Sequence, residues 1–438
     1  MDNAHENEID SIYLEAVASA CRKARAQKSY SSSYDLKLYS MGTSFSGPIL
    51  TAFVIWVLRG AHKANIKRLY FIARDGQILY EIARKLIVRF DFNIELKYLY
   101  GSRQAWFLPS LNELTEVHVD WLTLKSPFIS LRILTNRTGL NLRWVESRFF
   151  DQTGLRVGED ENINCFEQEV RSLFLSNEVK ARILANAGEQ RKQVVGYFEQ
   201  EGLFDEYPYG IVDLGWQGTM QDSMIKIINS NRPRKEKIYG FYYGLDLLNN
   251  HTAHDDNPKF SYHFATHESI PVDWRIKYFL EFITTGDHGI TLGYRLDDRG
   301  GYVPVLKESI NADAMAWGLQ NLRLGIHGFI DALMQQSHFD LRKWDVNAFR
   351  RIITSMFKKL VHETTPLEAE IIGSYLLKED PCETYSEEFA PKLKFWKTVL
   401  GSPVSSYWVQ ASLMRSGISV RLLHRIKSNL PRLASPQN

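Results

Sequence analysis

The sequence predicts an α/β fold of Rossmann-like type, with a mainly parallel sheet, a mostly helical insertion and a helical C-terminal region. Two stretches carry this prediction. In "RLYFIARDGQILYEIARKL" (68–86) an apolar run ends at Arg-Asp-Gly, and an amphipathic helical pattern follows at once. In "YGIVDLGWQGTMQDSM" (209–224) an apolar run again ends in a polar turn before a helical pattern. Such strand–helix units are typical of parallel sheets, because parallel strands must be joined by a crossover.

The first quarter of the chain divides into an N-terminal helix and the first part of the α/β core. In residues 1–35, positions 4 to 28 carry a helical pattern, which "KSYSSSYD" then ends. The core segment 36–105 includes a helix opened by Gly47-Pro48, since proline is tolerated in a first helical turn. The strand "KRLYFIA", a helix from Gly76 to Phe90 and the strand "ELKYLYG" complete this segment.

The remainder is predicted as an insertion, a second core segment and a helical end. Residues 106–187 are irregular and largely helical, which suggests an insertion over the sheet. The second core segment, 188–300, contains a helix, two strands and an intervening helix, in the order "EQRKQVVGYFEQEGL", "YGIVDLG", "TMQDSMIKIINS" and "KIYGFYYGLDL". Residues 301–438 are mainly helical in pattern. Four strands separated by helices favour a doubly wound core.

Composition excludes several classes of protein. The 438 residues are 44% hydrophobic and 24% charged, as in soluble globular proteins. A net charge of +2 gives no support for nucleic-acid binding. Three widely separated cysteines argue against a zinc site or a disulfide framework. The N-terminus is polar and acidic, unlike a signal peptide, and the apolar run Gly47–Leu58 is shorter than the roughly 20 residues of a membrane span. We therefore expect a cytoplasmic protein.

Polar residues directly follow three of the predicted strands. They are Arg74-Asp75-Gly76, Ser102-Arg103, and the turn from Asp213 through Gly215 and Gly218 to Thr219, where a helix begins. Ligands of open parallel sheets bind at the carboxyl ends of the strands, so these turns are expected at one edge. Helix-start N–H groups favour anions. Two arginines beside such a helix start suggest a substrate with more than one phosphate group.

Each of these turns also has a purely structural interpretation. Asp75 and Thr219 suit helix N-caps, and Asp213 suits a turn. The 213–219 turn is neither a Walker A loop, because GK[ST] is absent, nor the GxGxxG signature. Capping explains each turn separately, but it does not explain why basic residues recur at the same end of the strands.

Three weaker candidates lie elsewhere. "FLEFITTGDHGITLGY" (279–294) places Glu281 on a helix and His288 in the next loop, either as a general base or phosphate donor or as a surface residue. "MGTSFSGP" (41–48) is predicted to cap a helix rather than to bind an anion. The basic, amphipathic stretch 415–433 suits either an anionic membrane surface or a solvated helix packed on the protein.

The motifs "YFIARDGQILYEIA", "YGSRQA" and "VDLGWQGTMQDS" together resemble a bacterial polysaccharide-biosynthesis family of phosphoribosyltransferases. Members of that family are often fused to a haloacid-dehalogenase-type phosphatase. The resemblance covers roughly residues 35 to 300. It implies transfer of 5-phosphoribosyl from phosphoribosyl pyrophosphate (PRPP) to a sugar hydroxyl of an O-antigen or capsule glycan. It also implies a separate phosphatase partner, because this chain lacks the early DxD signature.

"GIVDLGWQGT" is further similar to the PRPP loop of type I phosphoribosyltransferases, with Asp213 at the first acid and Leu214 where a second acid is expected. By this resemblance, Gly215 to Thr219 would hold the 5-phosphate. Arg74 and Arg103 would hold pyrophosphate, bridged by Mg²⁺.

The resemblance also suggests roles for carboxylates and aromatic residues. Asp75 is the first choice for the catalytic carboxylate and Glu281 the second, while Asp75 and Asp213 are the expected Mg²⁺ ligands. Trp106 and Trp216 are expected to shape the acceptor site.

Other functions stay open at this point. A glycosyltransferase that uses a nucleotide-activated sugar would also have an α/β core and phosphate-binding loops. A non-catalytic subunit of a glycan-assembly complex is a second alternative. A phosphatase is disfavoured by the missing DxD signature.

Overall fold

A five-stranded sheet in which all neighbouring strands run parallel forms the centre of the protein. Its order is β2-β1-β3-β4-β5, and its strands are β1 (Arg68–Ile72), β2 (Glu95–Leu99), β3 (Tyr209–Asp213), β4 (Ile238–Leu245) and β5 (Lys259–Ala265). The predicted α/β fold is thus confirmed. The computed structural model describes residues 2–123, 128–246, 257–265, 274–336, 340–343, 345–378, 386–399 and 406–429.

Helices precede and follow the first strand. They are α1 (Asp2–Ala26), α2 (Ser33–Met41), α3 (Gly47–Lys63) and α4 (Gly76–Phe90). The predicted capping turn at 41–48 is wrong, because residues 42–46 form a π-helical turn that joins α2 to α3 without a side-chain cap. Its small residues permit close packing instead. A Cβ on Gly42 would lie 2.2 Å from the carbonyl oxygen of Leu322.

α2, the π-helical turn and α3 form one continuous helix, Ser33–Lys63, of 31 residues. It is much longer than the apolar run Gly47–Leu58 within it. By length and composition it would suffice to cross a membrane, but 89% of its most apolar window is buried inside the protein. Helix α3 is an internal helix that packs between the sheet and the C-terminal region. The prediction of a buried helix at Gly47–Leu58 is confirmed.

The insertion forms a helical layer with a core of its own. Its helices are α5 (Arg103–Trp106), α6 (Glu116–Thr123), α7 (Leu131–Thr138), α8 (Leu142–Thr153), α9 (Glu167–Leu175) and α10 (Asn177–Glu201). The predicted boundary at 187/188 falls inside α10, which is one unbroken helix. The apolar residues of α10 change partners there: Ile183 and Ala187 belong to the core of the insertion, whereas Val194 and Phe198 pack under the sheet.

Helices cover both faces of the sheet. Side chains alternate along a strand, so Phe71 of β1 faces α3 and α4, whereas Tyr70 and Ile72 face α10 and the next helix, α11 (Thr219–Asn231). Five consecutive buried residues in both β1 and β3 reflect this two-sided cover.

The rest of the chain packs mainly on the α3–α4 side, apart from a β-hairpin at 291–306 that packs against α10. It comprises α12 (Trp274–Thr284), β6 (Thr291–Leu296), β7 (Tyr302–Leu306), α13 (Ala312–Trp317), α14 (Leu319–Met334), α15 (Val346–His362), α16 (Pro366–Gly373), β8 (Leu376–Leu377), β9 (Glu387–Glu388), α17 (Phe395–Val399), α18 (Val409–Arg415) and α19 (Ile418–Asn429). The predicted boundary at 300/301 lies in the turn of the antiparallel β6–β7 hairpin, so the region after it begins with a strand. Phe329 and Trp408 share one core with α3 and α4.

Candidate functional site

The direction of the chain through the sheet reverses between β1 and β3. The chain leads from β1 outward to β2, then returns to the other side of β1 to form β3. Crevices at such a point, at the carboxyl ends of the strands, are the usual ligand sites of open α/β sheets. A cavity of about 350 Å³ lies here, lined by Arg74, Asp75, Ser102, Arg103, Asp213, Gly215, Trp216, Thr219 and Glu281. We call it the edge cavity.

Asp75 stands directly before α4, but it does not cap that helix. Its backbone is helical (φ −60°, ψ −30°) and its side chain makes no hydrogen bond to the helix start. The Thr284 hydroxyl instead donates to Asp75 Oδ1 at 3.4 Å. The structural interpretation of this aspartate is therefore wrong, and its carboxyl group faces the edge cavity.

Gly76 has a packing role. A Cβ at this position would lie 2.7 Å from the carbonyl carbon of Phe71. The glycine thus lets α4 start directly against β1, and this close approach holds Arg74 and Asp75 at the strand end.

The Ser102-Arg103 turn combines a cap with a cavity residue. Ser102 caps α5, since its Oγ accepts from the Ala105 N–H at 3.0 Å, and it donates to the Thr291 carbonyl at 2.5 Å. Arg103 follows as an exposed side chain at the edge cavity. Within the described parts of the chain it has no ion-pair partner, so its charge is available to an anion.

The turn after β3 directs the start of α11 towards the edge cavity. Gly215 has φ +130° and Gly218, the residue before the helix, has φ +68°. Thr219 is the first helical residue and not the N-cap, and no side chain caps this helix start. Thr219 and Met220 line the cavity. The uncapped N–H groups of this 13-residue helix therefore stand beside it.

The carboxyl groups of Asp75 and Asp213 both have raised pKa values at this edge of the sheet. Burial raises the pKa of Asp75 to about 7, opposed by Arg74 and assisted by the charge of Glu281. Burial also raises the pKa of Asp213 to about 7, assisted by the charge of Asp75 and opposed by a hydrogen bond from the Leu214 N–H at 2.8 Å. Two carboxyl groups whose pKa values lie near 7, in one cavity, are suited to proton transfer or to binding a cation.

Glu281 and Trp216 form a linked wall of the edge cavity. Glu281 projects from α12 and accepts from the Trp216 indole N–H at 3.1 Å. The Trp216 ring stacks on Phe264 of β5, with centroids 5.6 Å apart and planes within 4°. Lys277, one turn before Glu281, lies 3.9 Å from its carboxylate. These contacts orient Glu281 at the edge cavity.

Two predicted site residues lie in other surroundings. His288 is buried, not a surface residue, and is absent from the described lining of the edge cavity. Its Nε2 pairs with the Tyr98 hydroxyl at 2.7 Å and its Nδ1 with the Gly289 carbonyl at 2.8 Å, while burial lowers its pKa. Trp106 is fully buried and donates to Tyr294, so it cannot shape an acceptor site directly.

A second cavity adjoins the first and contains residues that the sequence did not identify. This adjoining cavity, of about 720 Å³, shares Arg74, Asp75, Arg103, Lys277, Glu281 and Lys378 with the edge cavity. The C-terminal region supplies its far wall, including Asn311, Asp313, Trp317, Tyr375 and Lys378. Lys378 pairs with Asp313 at 3.0 Å. No local pattern marks these residues, because only the tertiary packing brings them to the sheet edge.

A cation site would depend on few protein ligands. Within the described ranges, no group of three or more His, Cys, Asp or Glu residues is arranged to hold a metal ion. Asp75 and Asp213 remain a pair of carboxyl groups at one edge. Mg²⁺ is commonly held by one or two carboxylates together with substrate phosphates and water, so this pair fits that ion.

Comparison with known proteins adds no assignment. A scan against protein-family models finds no match for this chain, and a search of curated proteins also finds none. The family resemblance inferred from sequence motifs therefore stays a prediction.

Proposed function

We propose that the protein is a glycan phosphoribosyltransferase that transfers 5-phosphoribosyl from PRPP to a sugar hydroxyl in O-antigen or capsule biosynthesis. One observation carries the proposal: Arg74, Asp75, Arg103, Asp213 and the start of α11 meet in one cavity. That cavity lies at the chain reversal of a sheet with order 2-1-3-4-5. This is the flavodoxin-like order, one of the two common doubly wound orders, and the Rossmann-like architecture that the sequence predicts belongs to the same doubly wound class.

The edge cavity offers separate places for the two phosphate-bearing ends of PRPP. The uncapped N-terminus of α11 suits the 5-phosphate, with Gly215 allowing close approach of the backbone. Arg74 and Arg103 suit the pyrophosphate, because guanidinium groups match phosphate oxygens in a bidentate manner. Leu214 is buried and thus cannot replace the second acid of the PRPP loop, so ribose contacts must come from Asp213 and neighbouring residues.

Substitution at the anomeric carbon requires that pyrophosphate leaves and that the acceptor hydroxyl loses a proton. A carboxylate with a pKa near neutrality suits this proton transfer. Asp75 has such a pKa and lines both cavities. Glu281, which also lines both cavities, is the second candidate. The arginines stabilise the charge that develops on the leaving group.

Mg²⁺ is the cofactor that this donor implies. Asp75 and Asp213 would hold it, because burial and mutual repulsion disfavour two carboxylate charges and a cation relieves both effects. With Asp75 bound to the cation, Glu281 would be the proton acceptor. When bound, Mg²⁺ would neutralise part of the charge of the diphosphate.

The acceptor glycan is assigned to the adjoining cavity. Its volume of about 720 Å³ is twice that of the edge cavity, and Asp75 and Glu281 stand between the two. Its lining mixes hydrogen-bonding groups such as Asn311 and Asp313 with aromatic residues such as Tyr278 and Trp317, as is suitable for a sugar. A separate haloacid-dehalogenase-type phosphatase would then remove the 5-phosphate from the product.

The donor is tested by binding. We expect PRPP with Mg²⁺ to raise the melting temperature of the full chain, and a panel of nucleotide sugars to leave it unchanged. Arg103→Ala should weaken PRPP binding by roughly tenfold to a hundredfold, because a charged hydrogen bond contributes about 1.5–3 kcal/mol. Arg182→Ala, at an exposed arginine of α10, is the matched control.

A nucleotide-sugar glycosyltransferase is the second candidate. The aromatic residues of the adjoining cavity, which include Tyr34 and Tyr375, are the observation that favours a nucleobase there. Stabilisation by a nucleotide sugar and not by PRPP would select this candidate. If neither ligand binds, a non-catalytic role in glycan assembly becomes the better account.

A further inference from the structure

The last fifty residues have a charge composition unlike the rest of the chain. Residues 389–438 contain eight Lys or Arg and no Asp or Glu, whereas residues 1–388 contain 45 basic and 51 acidic residues. The net charge of +2 therefore combines an acidic body with a strongly basic end. Such a segment is attracted to anionic surfaces.

Helix α19 displays an apolar stripe on its outer side. Ile418, Leu422 and Ile426 follow one another at intervals of four residues and are 68%, 56% and 59% exposed. Val420 of the same helix is buried. At about 100° per residue, Val420 lies roughly 160° from the centre of the stripe. The helix therefore packs on the protein through the opposite side and presents its apolar stripe outward.

The neighbouring helix α17 also exposes large apolar side chains. It packs beside α19, and its Phe395 and Trp396 are 51% and 55% exposed. Arg421 and Arg425, both exposed, flank the stripe of α19. Single exposed apolar residues are ordinary, but an apolar stripe flanked by basic residues, in a stretch of sequence without Asp or Glu, is the pattern of an interfacial helix.

We propose that the outer surface of α17 and α19 binds an anionic lipid membrane, with the apolar stripe among the acyl chains and Arg421 and Arg425 at the headgroups. Self-association through the same surface would bring like charges together, because each copy contributes the same arginines. Nucleic acid would use the charge but would leave the apolar stripe in water. This binding site does not depend on the donor or on the reaction proposed above.

Vesicle flotation of the full chain tests the proposal. We expect flotation with vesicles of phosphatidylglycerol and phosphatidylcholine, and none with phosphatidylcholine alone. Leu422→Ser/Ile426→Ser should lower the partition coefficient by roughly tenfold or more, since each side chain loses its apolar burial. Arg421→Gln/Arg425→Gln should lower it as well, and added salt should weaken the binding of the unaltered chain.

Val88→Ser is the matched control, because Val88 is 75% exposed on α4. All of the altered residues are exposed, so the variants should keep the far-UV CD spectrum and melting temperature of the unaltered chain. The proposal is overturned if the full chain does not float with anionic vesicles. It is also overturned if the α19 serine variant floats equally well, or if that variant changes only the molar mass in light scattering.

Discussion

At the scale of single residues, the central question is what Asp75 and Asp213 do at the ends of adjacent strands. Within the described residues, Asp75 leaves α4 uncapped and Asp213 accepts a side-chain hydrogen bond only from the adjacent Leu214 N–H, so capping explains neither carboxyl group. Burial raises both pKa values to about 7, well above the ordinary value of an aspartate. A protein tolerates such groups mainly where they serve a ligand or a reaction.

The raised pKa values predict how stability depends on pH. The folded protein holds more protons than the unfolded chain between about pH 4 and 7, so the free energy of unfolding falls as the pH rises through this range. Asp213→Asn removes the part of this loss that Asp213 causes. The variant should be more stable than the unaltered protein by up to about 4 kcal/mol at about pH 8, and the difference should vanish near pH 4.

Urea unfolding at both pH values measures this difference. Asp298→Asn, which alters an exposed aspartate in the β6–β7 turn, is the control and should show no such pH dependence. A loss of stability in Asp213→Asn at about pH 8 would mean that the ionised carboxylate stabilises the fold.

At the scale of elements, the β3–α11 unit depends on a backbone that only glycine adopts easily. Gly215 has φ +130°, and a Cβ there would lie 2.0 Å from the Gly244 carbonyl oxygen. The close contact continues the pairing of β3 with β4 beyond Asp213, since the Gly244 N–H donates to the Leu214 carbonyl at 3.1 Å. The turn that holds the start of α11 at the edge cavity is therefore fixed by the sheet.

Gly215→Ala should lower the free energy of unfolding by about 2–4 kcal/mol, because it combines backbone strain with a steric clash. Chemical denaturation gives this value. Gly293→Ala is the control. Gly293 lies in strand β6, and a Cβ there would meet no described atom within 4 Å. Equal stability of the two variants would show that the 213–219 turn is not held as described.

At the scale of the whole molecule, the strands and turns at the sheet edge were predicted from the sequence, whereas the C-terminal residues that pack over this edge were not. The strand, turn and helix around Arg74 and Asp213 were recognisable because period and apolar runs are local signals. Helix α4 has the predicted bounds, Gly76–Phe90. Strand β5 was missed because its polar residues, Lys259, Ser261 and His263, interrupt the apolar run.

The far wall of the site could not be predicted for a different reason. Lys378 and Asn311 come from the C-terminal region, which packs on α3 and α4 and reaches over the sheet edge. The burial of His288 was not predicted, because its loop pattern gives no sign of the hydrogen bonds to Tyr98 and Gly289. Contacts between residues so distant in sequence depend on the assembled core and leave no local trace.

Transfer of a pentose phosphate is the most direct test of the central claim. The full chain is incubated with PRPP, Mg²⁺ and a lipid- or tag-linked oligosaccharide, and the product is examined by mass spectrometry. We expect the mass of one added pentose phosphate, with at least a hundredfold slower formation by Arg74→Ala and a normal melting temperature in that variant. No added pentose phosphate with any acceptor, or undiminished transfer by Arg74→Ala, would contradict the assignment of the edge cavity.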